Sequence, residues 1–429
     1  MNKVANLFKG DKAIWAVFLF LCLISIVEVF SASSTLTYKT HNYLRPLIYH
    51  SGTILVGVGV AIVILNIPCR YFKLLTPVML VVTYATLLGV LIWGQSINGA
   101  NRVIQLPGFT FQPSELAKGT LVLATAQILS AMQRPDGSGA DPKALRYILI
   151  VSVPAVMLIA IENLSTGILL FGVIYIMMFI GRVPMLQMGK LTGVLFLMAG
   201  LFMALVFSMA SLDKEGREID AQETELVEKP VVAEIHERTA FESVTHRFWT
   251  WKNRLTKRSK TKGVSPEEYD IKGNYQVAHA NFAIASSNLV GKGPGNSVER
   301  DYLPQAFSDF IFAIIIEEIG LIGAIAVVLL YVILLFRVAR IAGRCENNFP
   351  AFLIMGLTLL LVCQAVINMM VATDFGIVTG QPLPLISKGG TSTIVNCAYI
   401  GAILSVSRSA KKTYSQAQIQ PLHKGGKSE

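Results

Sequence analysis

The longest apolar stretch of the chain reads SDFIFAIIIEEIGLIGAIAVVLLYVILLF, residues 308–336, and the basic run RVAR follows it at residues 337–340. A helix needs about 20 apolar residues to cross a bilayer, and in lipid the backbone polar groups must be satisfied within the segment itself. The stretch therefore predicts a transmembrane helix. Its two internal carboxylates, Glu317 and Glu318, contribute to a predicted polar site at membrane depth.

Nine further apolar stretches flank this one. Hydrophobic residues make up 53% of the 429 residues and charged residues only 15%, with a mean hydropathy of +0.56, whereas soluble domains are nearer a quarter charged. We therefore predict an all-α, polytopic membrane protein of about ten transmembrane helices. The first stretch is longer than a signal-peptide core and more spans follow it, so we interpret it as a retained helix. The ten predicted spans are residues 13–32, 47–67, 74–94, 117–132, 147–161, 164–181, 191–211, 308–336, 351–373 and 393–407.

The distribution of lysine and arginine predicts the orientation of the spans. With the N-terminus inside, eighteen of these residues lie near the inner ends of the spans and four lie in the short outer loops, which predicts that both termini are cytoplasmic. The same bias accounts for the net charge of +10, and attraction to anionic lipid headgroups is the alternative. No basic run is interleaved with aromatic residues in a way that suggests nucleic-acid binding, so no nucleic-acid partner is expected. The four outer residues are Lys39, Arg45, Arg102 and Lys388.

One long polar segment interrupts the spans. Its middle is basic and contains Trp249 and Trp251, which fits either a solvated loop or an amphipathic stretch on the membrane surface. Its last part predicts a short helix over residues 275–286 and then a glycine-rich turn at residues 291–295. We thus divide the chain into residues 1–211 with seven spans, 212–306 as a large extracytoplasmic loop, 307–408 with three spans and 409–429 as a cytoplasmic tail.

Polar side chains at membrane depth are costly, so they indicate either pairing or function. Glu28 in the first span is expected to pair with a neighbouring helix, whereas Glu115, which opens the fourth span with Lys118, is expected to be functional. Ser114 is predicted to cap that helix, with Glu115 near the positive end of the helix dipole; a well-capped helix alone is the simpler interpretation. The whole set predicts a polar cavity that opens outward, and its other members are Asp309, Glu317, Glu318, Gln364 and Asn368.

A glycine-rich loop, DFGIVTGQPLPLISKGGTS, occupies residues 374–392. Exposed backbone N–H groups in its turns, next to Lys388, suit a phosphate group. Re-entrant loops of membrane proteins have a similar composition, so the loop alone is a weak signal.

Three segments, in this order along the chain, resemble the SEDS (shape, elongation, division, sporulation) family. FQPSELAK at residues 111–118 resembles one family signature, and GNSVERDYLPQAFSDFIFAIIIEEIG at residues 295–320 is similar to the family pattern GNSxxKxxYLPEAHTDFIFAxxxEELG. PLPLISKGGTS at residues 382–392 resembles PLPFxSYGGSS. With the ten-span layout, the resemblance covers almost the whole chain. SASS at residues 31–34 and GNSV at residues 295–298 are more similar to the division (FtsW) branch than to the elongation (RodA) branch.

The resemblance implies a peptidoglycan glycosyltransferase that polymerises lipid II into glycan strands during septal cell-wall synthesis and releases undecaprenyl pyrophosphate. It implies the bacterial inner membrane at the division septum as the location. The implied partners are lipid II, a class B penicillin-binding protein (an FtsI-like transpeptidase) and other divisome proteins. A divalent cation, Mg²⁺ or Mn²⁺, is a candidate cofactor because it would neutralise the leaving pyrophosphate, and no organic cofactor is expected.

The resemblance also implies a catalytic carboxylate. The family's essential aspartate precedes a GYQ motif, and the corresponding segment here is EYDIKGNYQ at residues 268–276. This makes Asp270 the candidate general base, which takes the proton of the acceptor hydroxyl as the new bond forms. The spacing from Asp270 to Tyr275 differs from the family's by one residue, so Glu267 and Glu268 remain alternatives.

The implied substrate-binding residues surround the predicted cavity. Arg102, Lys118 and Lys388 are candidates for the positive charge that the leaving pyrophosphate needs, although Lys388 stands where the family usually has tyrosine. Ser114, Glu115 and Asp309 would shape the cavity or hold a metal. The predicted set is completed by Gly389, Gly390 and Ser392.

Three other functions remain open from the sequence. A transporter that flips lipid II would also have charged residues in a cavity and broken helices, but it has no need of the loop aspartate. An elongation polymerase of the RodA type is the second alternative. The third is a division scaffold whose catalysis is vestigial, since Ile271 and Lys272 replace the proline and glycine that follow the family's aspartate.

Overall fold

The computed structural model describes residues 9–33, 44–97, 100–106, 109–224, 275–303 and 306–424, with the backbone alone in parts of these ranges. The chain divides into two parts. The first part is Met1–Pro184 together with Gln276–Glu429, and the second is Met185–Tyr275.

Every predicted span coincides with a helix, which confirms the all-α, polytopic architecture. Among the residues that the structure describes, eight helices are long and apolar enough to cross a membrane. Two predicted spans fall outside that group, because α6 is apolar but shorter and α4 carries charged residues in its first turns. The helices are α1 Lys12–Ser31, α2 Leu44–Leu65, α3 Cys69–Trp93, α4 Pro113–Ala131, α5 Lys143–Glu162, α6 Leu164–Ile180, α7 Met185–Thr224, α8 Tyr275–Ala285, α9 Ile311–Ala342, α10 Asn348–Ala372 and α11 Gly390–Lys424.

Two helices continue beyond the ends of their apolar stretches. The predicted apolar stretches end at residues 211 and 407, yet the backbone is helical to Thr224 and Lys424. Hydropathy predicts where a segment leaves the membrane but not where its helix ends. Polar residues such as Glu, Lys and Gln favour helix without favouring lipid.

Local signals explain where the helices begin. The Asp11 carboxylate caps α1 by accepting hydrogen bonds from the amides of Ala13 (2.9 Å) and Ile14 (3.2 Å). The Asn163 side chain separates α5 from α6 and accepts from the Thr166 amide at 3.4 Å. Such caps satisfy N–H groups that have no partner within the helix.

A small antiparallel sheet precedes α4, where the sequence indicated only an outer loop. Strands β1 Gln95–Ile97, β2 Ala100–Leu106 and β3 Phe109–Phe111 are arranged in the order β1-β2-β3. Ile104 lies opposite Phe111 in the register. β-Branched and aromatic residues favour strands, and the strands are too short to stand out in the sequence.

The core of the first part lies around α10. This helix packs against α4, α6 and α9, while α11 packs along α2, and α1 packs against α9. The inner faces are closed by aliphatic side chains such as Leu121, Leu360 and Ile403, whereas the outer face of α9 exposes Leu329, Val332 and Phe336. Exposed apolar faces of this length are what lipid contact requires.

Candidate active site

The glycine-rich loop between α10 and α11 is enclosed by polar side chains of the neighbouring helices. The amide nitrogen of Gln364 donates to the Pro382 carbonyl at 3.0 Å, and the Tyr331 hydroxyl donates to the Pro384 carbonyl. Ser387 within the loop donates to the Ser308 carbonyl at 2.5 Å. A buried carbonyl needs a hydrogen-bond partner, so these side chains make a re-entrant loop possible at this depth.

Glu115 and Lys118 form an enclosed ion pair on α4. The Lys118 ammonium lies 2.8 Å from Glu115 Oε1 and 2.8 Å from Gln364 Oε1, and its side chain has no solvent exposure. The second oxygen, Glu115 Oε2, is buried and has no hydrogen-bond partner in the described part of the chain. The Lys118 ammonium, a predicted binding group for the pyrophosphate, is therefore already used within the protein.

Asn368 continues this polar network one helical turn after Gln364. Its Nδ2 donates to the carbonyls of Asp309 and Gln381, both at 2.8 Å. Its Oδ1 is buried, and no described residue donates to it. The network thus brings the segment that contains Asp309 next to the glycine-rich loop. The Asp309 carboxylate itself lies close to Gly380, whose built Cβ would lie 3.9 Å from Oδ2.

The prediction that Ser114 caps α4 is wrong. The helix begins at Pro113, its N-cap residue is Gln112, and no side chain makes a capping hydrogen bond. Proline suits the first helical position because its fixed φ is helical and its missing N–H would be unpaired there. Ser114 is buried beside the ion pair and accepts a hydrogen bond from Gln112 Nε2 at 3.1 Å.

Glu317 and Glu318 do not line an open cavity, because residues of the loop before α9 donate hydrogen bonds to both carboxylates. Glu317 accepts from the Lys292 ammonium (2.6 Å), the Ser297 hydroxyl (2.5 Å) and the Val298 amide (3.1 Å). Neither glutamate has any solvent exposure. Carboxylates with this many donors hold a loop in place.

Glu318 joins the same loop to α1. It accepts from the Ser31 hydroxyl at 2.5 Å and from the amides of Gly295 (3.1 Å) and Ser297 (3.3 Å). The Arg300 guanidinium lies 3.7 Å from Glu318 and donates to the Ser31 hydroxyl at 2.9 Å. Three separate parts of the chain therefore meet at this carboxylate.

Two glycines allow the loop to approach α9. Gly320 interrupts α9 with φ 76° and ψ −172°, and Gly291 has φ 76°. A Cβ on Gly320 would lie 2.4 Å from the Leu289 carbonyl oxygen, and one on Gly291 would lie 2.4 Å from the Gly320 nitrogen. The predicted glycine turn and the short helix before it, α8, are both confirmed.

Glu28 does not pair with a neighbouring helix as the sequence suggested. It has no solvent exposure, and neither of its carboxylate oxygens has a hydrogen-bond partner among the described residues. It lies one turn before Ser31 on α1 and close enough to Glu318 for the two carboxylates to interact. No described residue compensates the burial of this carboxylate.

Lys388 lies on the glycine-rich loop and differs from Lys118 in its surroundings. Its ammonium lies 4.8 Å from the centroid of the Phe307 ring. Among the residues that the structure describes, no carboxylate lies within ion-pair distance of it. Partial burial lowers the pKa of Lys388 below its ordinary value, because desolvation penalises the charged form.

The other predicted loop residues follow Lys388 directly. Gly389 lies against Ser392, since a Cβ at position 389 would lie 2.1 Å from the Ser392 hydroxyl oxygen. Gly390 opens α11, with open space around its Cα. Gly389, Gly390 and Ser392 therefore lie beside the Lys388 backbone.

Several predicted residues lie outside the described part of the chain. These are Asp270, its alternatives Glu267 and Glu268, and the pair Trp249 and Trp251. Arg102 lies on β2, and its side chain is also outside the described part. Their roles stay predictions.

The described residues do not by themselves form a metal site. No three His, Cys, Asp or Glu residues among them lie together in a way that could hold a metal ion. The one predicted ligand with an unpartnered oxygen, Glu115, lies against the Lys118 ammonium, which repels a cation.

Sequence reasoning missed the residues that support the loops. Ser25 donates to the Ile386 carbonyl at 2.7 Å and lies 2.8 Å from His50 Nε2, and Tyr399 donates to the Glu115 carbonyl at 2.6 Å. The signal for Ser25 and His50 was present, since both are polar residues inside apolar stretches. Tyr399 gave no comparable signal.

The fold and the site together define a multi-pass membrane protein with a polar site enclosed among its helices and re-entrant loops. A family model described as cell cycle protein, covering FtsW, RodA and SpoVE, matches residues 11–217 and 241–412. The chain belongs to this family.

Named relatives agree with that assignment. A probable peptidoglycan glycosyltransferase FtsW of Halomonas elongata is 29% identical over 397 residues, which cover 90% of this chain and 87% of that protein. The protein of the same name from Hahella chejuensis is 30% identical and covers 84% of this chain and 80% of its own. A solved structure described as showing the coordination of polymerisation and crosslinking by a peptidoglycan synthase complex has a similar fold, with a TM-score of 0.64 at 22% identity, over 94% of this chain and 99% of that one.

Proposed function

We propose that this protein is a peptidoglycan glycosyltransferase that polymerises lipid II and releases undecaprenyl pyrophosphate. The observation that supports this most is the convergence of the three signature segments. Lys118 of the 111–118 segment donates a hydrogen bond to Gln364 at 2.8 Å, and Gln364 donates to the Pro382 carbonyl of the 382–392 segment at 3.0 Å. Ser387 of that same segment donates to the Ser308 carbonyl of the 295–320 segment at 2.5 Å. Segments far apart in sequence thus form one polar site.

The proposed reaction forms one glycosidic bond and breaks one bond to phosphate. Asp270 takes the proton from the acceptor hydroxyl, and the oxygen of that hydroxyl attacks the anomeric carbon of the donor sugar. The bond from that carbon to the pyrophosphate breaks, and the lipid pyrophosphate leaves with the bonding electrons. Arg102 and Lys388 are proposed to stabilise that negative charge, whereas Lys118 first has to leave its ion pair. Glu267 and Glu268 remain alternatives for the base.

We further propose where the protein works and with what. The distribution of lysine and arginine supports cytoplasmic termini and signature loops on the outer side. The similarity to FtsW proteins supports a location at the division septum of the bacterial inner membrane. A class B penicillin-binding protein is the proposed partner. The named synthase complex, which couples polymerisation with crosslinking, supports a partner of this kind.

The test is polymerisation by the purified protein. Labelled lipid II is incubated with the wild type, with Asp270→Ala and with Lys73→Met, which changes an exposed lysine of α3. Mg²⁺ or Mn²⁺ is present, and each sample is run with and without the partner transpeptidase. We expect glycan ladders from the wild type and the lysine variant and none from Asp270→Ala. Normal ladders from a folded Asp270→Ala protein would assign the base to another carboxylate.

A lipid II flippase is the second candidate, and the interrupted helix α9 favours it, because broken helices recur in transporters. In vesicles that contain labelled lipid II, a flippase exposes the label at the opposite leaflet without forming polymer. Movement of intact lipid II with no ladder under any condition would replace the polymerase proposal.

A further inference from the structure

The lysine residues that could bind the leaving group differ in availability. Lys118 is fully enclosed and bound to both Glu115 and Gln364, so its positive charge is already compensated. Lys388 is only partly buried and has no carboxylate partner among the described residues. We infer that Lys388 is the lysine that binds the pyrophosphate of the substrate. This inference rests on the proposed function and names the residue that recognises the leaving group.

The backbone that carries Lys388 is held firmly. The Lys388 amide donates to the Phe307 carbonyl at 2.9 Å. Two residues earlier, the Ile386 carbonyl accepts from the Ser25 hydroxyl at 2.7 Å, and Ser25 in turn lies 2.8 Å from His50 Nε2. A fixed backbone leaves only the lysine side chain to be ordered when it binds an anion, which lowers the entropic cost of binding.

The Lys388 ammonium has one stabilising neighbour in the described structure, the face of the Phe307 ring at 4.8 Å. A ring face attracts a cation but leaves its N–H groups free to donate. Partial burial of a charge without a counter-ion costs free energy. An anion at this position would offset that cost, so the site favours a ligand with concentrated negative charge.

The position also distinguishes this chain from the family pattern it resembles. Tyrosine, which usually stands there, can donate one hydrogen bond but brings no positive charge, whereas lysine brings a full charge and three donors. The Lys388→Tyr variant therefore restores the usual side chain and removes the proposed interaction.

The test measures binding of inorganic pyrophosphate, without turnover, to the full-length protein in nanodiscs of phosphatidylcholine. The variants are Lys388→Met, Lys388→Tyr and Lys388→Arg, with Lys73→Met as the control. A charge-assisted hydrogen bond accounts for about 10- to 100-fold in affinity. We expect that loss for the methionine and tyrosine variants, and a change within about threefold for arginine and for the control.

The outcomes separate this inference from the proposed function. Equal pyrophosphate affinity in wild type and Lys388→Met, or no binding to the wild type, overturns the inference even if the protein polymerises lipid II. Lysine-dependent binding without polymerisation keeps the anion site and rejects the polymerase. Nanodiscs that contain phosphatidylglycerol test whether Lys388 binds the phosphate of lipid headgroups instead. Unchanged pyrophosphate affinity supports the inference, and loss of binding there assigns Lys388 to lipid headgroups instead.

Discussion

Substitution of Gly320 by alanine should disrupt the N-terminal part of α9. Gly320 has φ 76° and ψ −172°, a conformation that is almost exclusive to glycine and costs other residues about 1–3 kcal/mol. The new Cβ would also lie 2.4 Å from the Leu289 carbonyl oxygen and 2.5 Å from the Gly291 nitrogen. Because both are backbone atoms, the loop has to move, which adds about 1–3 kcal/mol. We therefore expect a loss of roughly 2–6 kcal/mol in unfolding free energy.

The assay is thermal unfolding of the detergent-solubilised protein, and Gly343→Ala is the matched control. Gly343 ends the same helix with φ −66°, and the nearest atom to its built Cβ is 3.8 Å away. The control should keep the wild-type melting temperature, while Gly320→Ala should melt several degrees lower. If the two variants have the same melting temperature, the close approach between Gly320 and the 288–291 segment is not required by the fold.

Three further substitutions test individual buried groups. Lys118→Met leaves the Glu115 carboxylate buried without its cation and should cost about 3–5 kcal/mol; a joint change with Glu115→Gln should recover much of that loss in the same melting assay. Glu28→Leu should stabilise the protein by about 1–3 kcal/mol, because it removes a buried carboxyl without hydrogen bonds, and a lower melting temperature would show that Glu28 has a partner we have not identified. Lys388→Met should raise stability at neutral pH, because the lowered pKa of Lys388 means that the folded state binds its proton less tightly than the unfolded state. That gain should shrink as the pH rises from the folded pKa of Lys388 towards the ordinary 10.5, and a gain that does not change with pH contradicts the assignment to charge burial.

The spans were predictable from the sequence because lipid imposes a simple rule on length and polarity. The same rule could not give the ends of α7 and α11, whose polar continuations are helical for reasons of local propensity. It also could not show β1–β3, which are three to seven residues long.

The residues of the site were predictable in identity but not in arrangement. The signature segments named Glu115 and Lys118, and spacing on a helix places them on one face, as the structure shows. Nothing local indicated that Glu317 and Glu318 would be saturated by residues 292–300, because those contacts depend on how the loop returns to α9. For the same reason, the enclosure of Lys118 and the open surroundings of Lys388 became distinguishable only in the structure.

The proposed reaction transfers sugar from a lipid pyrophosphate to an acceptor hydroxyl. The most direct measurement is the ratio of undecaprenyl pyrophosphate released to glycosidic bonds formed, using purified protein and lipid II as the sole substrate. The account predicts one lipid pyrophosphate for each bond, with both products lost in Asp270→Ala. Neither product from a folded wild-type protein with its partner present, or polymer without released lipid pyrophosphate, would contradict it.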